Sequence, residues 1–125
     1  LALLRDQPRT DAVLLRLAIA GKRSGAPSAP SDAREMRERI ALANQRPGAQ
    51  VFHAREQAMF ALFVDEKPAS AIELARLNLR QQREPQDLLV LAQAARLGGQ
   101  ADASREAARL AREIGLRDRR IDALI

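Results

Sequence analysis

Apolar residues recur along this chain with the spacing of amphipathic helices. Two segments, LRDQPRTDAVLLRLAIAG (4–21) and LRQQREPQDLLVLAQAARLGG (79–99), each place a proline ahead of an apolar run that ends at a glycine. Superposing Pro8 on Pro85 aligns Val13 with Val90, Leu14 with Leu91, Ala18 with Ala95 and Gly21 with Gly98. Because proline breaks an incoming helix and glycine ends an outgoing one, both segments predict a helix, a tight turn and a second helix.

A second pair of segments repeats the partner helix of this motif. ASAIELARL (69–77) aligns with ADASREAARL (101–110) at an offset of 33 residues, which places Glu73 on Glu106, Ala75 on Ala108, Arg76 on Arg109 and Leu77 on Leu110. A period in the low thirties that contains two helices is typical of an α-solenoid, whose hairpin units stack because none buries its apolar face alone. The sequence therefore predicts repeated antiparallel helix hairpins.

The composition favours the same fold class, because good helix formers dominate and aromatic residues are limited to three phenylalanines. We expect an all-α protein with helices at about 10–23, 31–45, 51–65, 68–83, 86–98 and 102–114, and a partial helix from 117. These helices form three hairpins at about 10–45, 51–83 and 86–114, with partial helices on both sides.

The length of 125 residues fits one domain, 1–125. Since the chain begins at Leu1 in the middle of the helical pattern, it is interpreted as a fragment of a longer chain. The only low-complexity stretch, GKRSGAPSAPSD, is rich in glycine, serine and proline and predicts an extended, mobile loop at 21–31.

The residues at the predicted helix-packing positions resemble those of the tetratricopeptide repeat family. The unit of that family is a 34-residue helix hairpin with small residues where the helices cross. The matching positions are Ala58, Met59 and Leu62, then Leu91, Ala92 and Ala95 in the first helices, and Ala71, Ala75, Ser104 and Ala108 in the second helices. The repeats are degenerate, because the tryptophan, glycine and tyrosine that the family favours in its first helix are missing. An ordinary helical bundle is the alternative architecture.

The residues that catalysis or metal binding would require are scarce. His53 is the only histidine and cysteine is absent, which leaves no histidine pair or thiolate for zinc and makes an acid–base role with Glu56 a weak hypothesis. Asp65 and Glu66 read as a polar turn, and LGGQAD at 97–102 lacks the spacing of a phosphate-binding loop. We expect no enzyme activity, no cofactor and no metal.

Charge and hydropathy argue against a nucleic-acid partner and against a membrane span. The net charge is +5, but acidic and basic residues alternate in segments such as DAREMRER, as on a solvated helix face, and this argues against a nucleic-acid site. The longest uncharged apolar stretches, such as QAMFALFV, have eight residues, far short of the roughly 20 that span a bilayer. We interpret the chain as bacterial, from the cytoplasm or the periplasm, and the sequence does not distinguish these compartments.

The resemblance implies a concave groove lined by the first helix of each hairpin. At the matching positions it points to a partner-binding surface of Arg16, His53, Glu56, Phe60, Gln93 and Arg96. Such a mixture of cations, amide and apolar groups suits a peptide or a helix of a partner protein. The alternatives are a purely structural or accessory segment of a larger protein or enzyme, and, as a third reading, an RNA-binding array. Self-association through exposed repeat ends would give a homo-oligomer.

Overall fold

The computed structural model describes residues 10–115, except for the side chains of residues 49–52. All of the regular secondary structure in that range is helical. The all-α prediction is confirmed. The six helices are α1 (Asp11–Ser24), α2 (Ala29–Ala43), α3 (Ala49–Phe63), α4 (Pro68–Leu79), α5 (Pro85–Leu97) and α6 (Ala101–Glu113). The predicted helix from 117 lies outside the described residues. The chain divides into two compact units, 1–52 and 53–125.

In the first unit, α1 has well-defined signals at both ends. Thr10 is extended, and its hydroxyl accepts a hydrogen bond from the backbone N–H of Val13 at 3.2 Å, which satisfies one of the free donors of the first turn. Asp11 adds a negative charge beside the same end of the helix. At the other end, Gly25 adopts the left-handed conformation, with φ of 69°, that glycine reaches without strain.

The two helices of the first unit pack as a close hairpin. An added Cβ on Gly21 would lie 3.1 Å from the Cβ of Ala29, so the missing side chain lets the helices approach beside the turn. At the far end, Arg39 on α2 donates to the carboxylate of Asp11 on α1 at 3.0 Å. The core between these ends consists of Val13, Leu14, Leu15, Leu17 and Ala18 with Ala33 and Met36.

The prediction of an extended loop at 21–31 is wrong. Residues 21–24 form the last turn of α1 and residues 29–31 the first turn of α2, which leaves a four-residue turn, 25–28. Composition was misleading here because Gly21 serves a close helix contact, and Pro30 stands in the first turn of a helix, where its missing N–H costs no hydrogen bond.

The second unit begins inside α3, at a local departure from helical geometry. His53 has φ of −115° and ψ of 15°, and regular helix continues beyond it to Phe63. Both α4 and α5 begin with a proline at the first turn. At the turn between α5 and α6, an added Cβ on Gly98 would lie 3.2 Å from the Cβ of Pro68, so this turn packs directly against the start of α4.

One alanine-rich core joins the four helices of the second unit. Leu88 and Leu91 are fully buried on α5, between apolar residues of α4 and α6. Alanines supply much of the remaining contact surface: Ala58, Ala61, Ala71, Ala75, Ala92, Ala94, Ala95, Ala103, Ala107 and Ala111. Met59, Phe63, Leu74 and Leu89 pack against this core while remaining partly exposed.

The pattern of buried positions repeats along the chain. The same four positions are buried in three helices: Val13, Leu14, Leu17 and Ala18 on α1, Gln57, Ala58, Ala61 and Leu62 on α3, and Val90, Leu91, Ala94 and Ala95 on α5. The alignment of Pro8 with Pro85 therefore matches buried residues with buried residues. In α4 and α6 the matching pairs are Ala71 with Ala103 and Ala75 with Ala107, an offset of 32 residues. The predicted offset of 33, which selected the half-buried Ser104 and Ala108, is wrong by one.

Candidate functional site

The residues of the predicted partner-binding surface differ in accessibility. Arg16 is exposed on α1 in the first unit. In the second unit, His53 is exposed and Glu56 half-buried on α3, while Gln93 is half-buried and Arg96 exposed on α5. These four residues of the second unit leave polar groups accessible on the first helices of two successive predicted hairpins.

Phe60 is not part of an accessible surface. Its exposed fraction is 3%, so the prediction that it contacts a partner from an open face is corrected. Helix α3 buries a wider stripe than a single-sided helix does, because Gln57 and Ala61 on the same helix are buried as well. Val64, directly after the helix end, is also buried. Phe63, three residues on, is only partly buried and packs against the core of the second unit.

Gln93 has an unusual environment for a half-exposed residue. Its amide oxygen Oε1 is buried and makes no hydrogen bond to any residue that the structure describes. A buried acceptor without a hydrogen bond costs about 1–3 kcal/mol of stability. The matching position on α3 is occupied by Phe60, an apolar side chain that has no such requirement. The choice of glutamine at 93 is therefore not explained by stability.

In the second unit, a network of polar side chains is hydrogen-bonded to the carboxylate of Asp87. This side chain is 2% exposed, and its oxygens accept four hydrogen bonds. Oδ1 accepts from Arg55 Nε and from Asn78 Nδ2, both at 2.7 Å, and Oδ2 accepts from Arg55 Nη2 at 2.6 Å and from the backbone N–H of Glu84 at 3.0 Å. We call Arg55, Asn78, Glu84 and Asp87 the polar cluster.

The polar cluster connects three helices. Arg55 comes from α3, Asn78 from α4 and Asp87 from the first turn of α5, which Glu84 precedes. Gln82 extends it by donating to Asn78 Oδ1 at 2.7 Å. Arg55 also donates to the Glu84 carboxylate at 3.1 Å, at the solvent-exposed rim. A buried carboxylate is tolerated because donors surround it.

The charge of Arg55 is reinforced by this environment. The hydrogen bonds to Asp87 raise the pKa of the guanidinium above its ordinary value. Burial lowers the pKa, but the hydrogen bonds to Asp87, together with the negative charges of Asp87 and Glu84, outweigh the effect of burial. Since a raised pKa keeps arginine protonated, the stability that this pair contributes is lost from the arginine side only in strongly alkaline solution.

The arrangement of the polar cluster suits a structural role rather than chemistry. Its central carboxylate is saturated with donors, and the gap between Arg55, Ala58, Ala75, Asn78, Asp87 and Val90 has no room for a water-sized molecule. A general base or a nucleophile needs access to substrate, which this packing denies.

Sequence reasoning did not predict the pairing of Asp87 with Arg55. A usable signal was present in Asn78, a polar residue in the buried stripe of α4 that otherwise contains Ala71, Ile72, Ala75 and Leu79. A buried amide predicts a polar partner nearby, although it does not identify which residue.

A second hollow lies on the outer side of α4. It has a volume of about 210 Å³ and is lined by Ala69, Ile72, Glu73, Arg76 and Gln100. Arg76 is held by an ion pair with Glu106 on α6, with Nε and Oε2 2.7 Å apart. Of its two charged residues, Arg76 stays protonated near neutral pH, so this lining offers Glu73 without a second proton-transfer group.

Residues 10–115 contain no cluster of three histidine, cysteine or acidic side chains that could hold a metal ion. Among the helices in the same range, none combines the length and the apolar character needed to cross a bilayer. Comparisons with protein-family models, with curated proteins and with solved structures find no match for this chain.

Proposed function

We propose that this chain is a tetratricopeptide-like helical-repeat segment that binds a peptide or a helix of a partner protein. The proposal depends on four polar residues of the second unit that are exposed or half-buried on the first helices of two successive hairpins. They are His53, Glu56, Gln93 and Arg96. An extended partner needs such a series of spaced contacts, and the arginine side chain is of a type that binds carboxylates. Arg16, exposed on α1 of the first unit, is a separate candidate for partner contact.

The repeated burial pattern supports the solenoid part of the proposal. Equivalent positions are buried in α1, α3 and α5, as expected if the hairpins are copies of one repeat unit. In such an array the first helices of successive hairpins line one groove, so that Glu56 on α3 and Gln93 on α5 would both face it. The runner-up, a purely structural segment of a larger protein, requires the same helices but no bound partner.

The experiment is a capture from the native host with a charge-exchanged variant. Glu56→Lys with Arg96→Glu preserves the net charge while reversing both contacts on the proposed surface. The matched control, Glu73→Lys with Arg112→Glu, makes the same exchange on exposed residues of α4 and α6. Circular dichroism must show that both variants keep the helix content of the parent protein.

We expect one protein to be recovered with the parent chain and the control but lost with the first variant, and the purified pair to show the same difference in affinity. Nuclease treatment of the lysate should leave recovery unchanged. Equal recovery by both variants would contradict the proposed surface. Recovery that depends on RNA would favour the nucleic-acid alternative, and a failure of the parent chain to retain any specific protein would favour the structural one.

A further inference from the structure

The alanine contacts of α3 are poorly suited to fixing its position along the helix axis. Ala54, Ala58 and Ala61 are all buried, and they follow one another at intervals of four and three residues. Sliding α3 by one turn, about 5.4 Å, would place Ala58 near the present position of Ala54, and Leu62 near that of Ala58. On α4, Ala71 and Ala75 repeat in the same way. The alanine contacts therefore select no alignment by themselves, and Leu62 is the larger α3 side chain in this core.

The polar cluster interrupts this pattern at a single interface. In the repeat, the position of Arg55 on α3 corresponds to Leu88 on α5, and the position of Asn78 on α4 corresponds to Leu110 on α6. Both leucines are buried. Asp87 corresponds to the buried Ala54. The chain thus has buried apolar residues at the three corresponding positions elsewhere in the repeat, but polar residues where α3, α4 and α5 meet.

The geometry of the polar cluster is compatible with only one alignment of the helices. Arg55 donates a hydrogen bond to each oxygen of Asp87, at 2.7 and 2.6 Å, while Asn78 on α4 donates to one of the same oxygens. A shift of α3 by one turn would carry the guanidinium about 5.4 Å along the helix axis. The buried carboxylate would then lose its cation, which is strongly unfavourable.

From these relationships we infer that the polar cluster is a register lock, which fixes the axial alignment of α3 against α4 and α5. Apolar packing holds the three helices together, and the ionic contact selects one of the alignments that alanine packing permits. This role differs from partner binding and does not depend on it, because Asp87 is inaccessible to a partner.

The test replaces three residues of the polar cluster by the apolar residue types found at the corresponding positions of the repeat. The apolar variant carries Arg55→Leu, Asn78→Leu and Asp87→Ala. Because the chain has no cysteine, His53→Cys and Gln86→Cys introduce two unique sites on exposed positions of α3 and α5. Spin labels at these sites report the alignment of the helices through pulsed electron paramagnetic resonance distances.

In the labelled parent protein we expect one narrow distance distribution. In the apolar variant we expect unchanged helix content but a broadened distribution, or a second population displaced by up to about 5 Å. Arg55→Lys keeps the positive charge but cannot form the two parallel hydrogen bonds of the guanidinium. This single substitution should be enough to broaden the distance distribution. The control, Arg76→Leu with Glu106→Leu, removes a partly exposed ion pair between α4 and α6 and should leave the distance unchanged.

A single unchanged distance in the apolar variant would overturn the inference. A loss of helix content in that variant would overturn it as well, because the polar cluster would then be needed for cohesion rather than for alignment. If Arg55→Lys alone leaves the distribution as narrow as in the parent protein, the forked contact is not the selecting element.

Discussion

Arg55 and Asp87 lie 32 residues apart in the chain and meet through two parallel hydrogen bonds, Nε to Oδ1 and Nη2 to Oδ2. Each partner needs the other for a different reason. The carboxylate is buried and requires compensation of its charge, whereas the guanidinium is partly exposed and could still contact water. Removing the arginine or removing the carboxylate therefore leaves different groups without compensation.

Replacing Arg55 with Ala should destabilise the second unit by about 3–5 kcal/mol, because it leaves a buried carboxylate without its cation. The measurement is the free energy of unfolding from urea denaturation followed by circular dichroism. Arg105→Ala is the control, since Arg105 pairs with Asp102 on the exposed face of α6 and should cost at most about 1 kcal/mol. Similar losses in both variants would contradict the assignment of a special role to Arg55.

Replacing Leu91 with Ala should cost about 2–5 kcal/mol of unfolding free energy, because it opens a cavity in the core of the second unit. Leu91 is fully buried, with an exposed fraction of 0%. The matched control is Leu97→Ala on the same helix, where the leucine is 70% exposed and the expected change is within about 0.5 kcal/mol. If the two substitutions were equally costly, the burial pattern of α5 would be incorrect.

Replacing Gln93 with Leu should leave stability unchanged or increase it by about 1–3 kcal/mol, because it removes a buried acceptor that lacks a hydrogen bond. Thermal and urea unfolding should both report the change. Gln86→Leu, on the exposed face of the same helix, serves as the control. A clear loss of stability in Gln93→Leu alone would show that the amide makes a favourable contact.

The same variant separates stability from binding. If Gln93 contributes to partner recognition as proposed, Gln93→Leu should weaken capture of the partner protein although the fold is at least as stable. Retained affinity would remove Gln93 from the proposed surface while leaving its effect on stability intact.

Replacing Thr10 with Ala should cost about 1 kcal/mol, since the hydroxyl accepts the N–H of Val13 at the start of α1. Thr10→Ser keeps an oxygen acceptor and should retain most of the stability. The midpoint of urea unfolding, followed by circular dichroism, provides the comparison. Equal losses for alanine and serine would indicate that the methyl group, rather than the hydroxyl, is responsible.

The helices could be predicted because their signals are local. Thr10, Pro85 and Gly98 lie at helix boundaries, and an apolar period such as that of Leu88, Leu91 and Ala95 is legible without knowing what it packs against. The loop prediction failed at Gly21 because glycine has the same composition signal whether it ends a helix or allows close helix contact.

The candidate site was less predictable because it depends on tertiary contacts. Nothing in the sequence around Phe60 shows that α3 buries a wide stripe, so its ring was assigned to an open face. The pairing of Arg55 with Asp87 requires the positions of two helices and a turn to be known together. Only Asn78, polar within an apolar stripe, carries a local trace of that arrangement.

The glycines at two turns differ in their surroundings. Around the Cβ position of Gly25 there is nothing within 4 Å, whereas the turn at Gly98 packs against Pro68. A peptide tag or a fluorescent reporter inserted after Gly25 would extend into solvent and leave the helices of the first unit joined. The same insertion after Gly98 would separate the turn from α4, so Gly25 is the better of these two turns for an internal label.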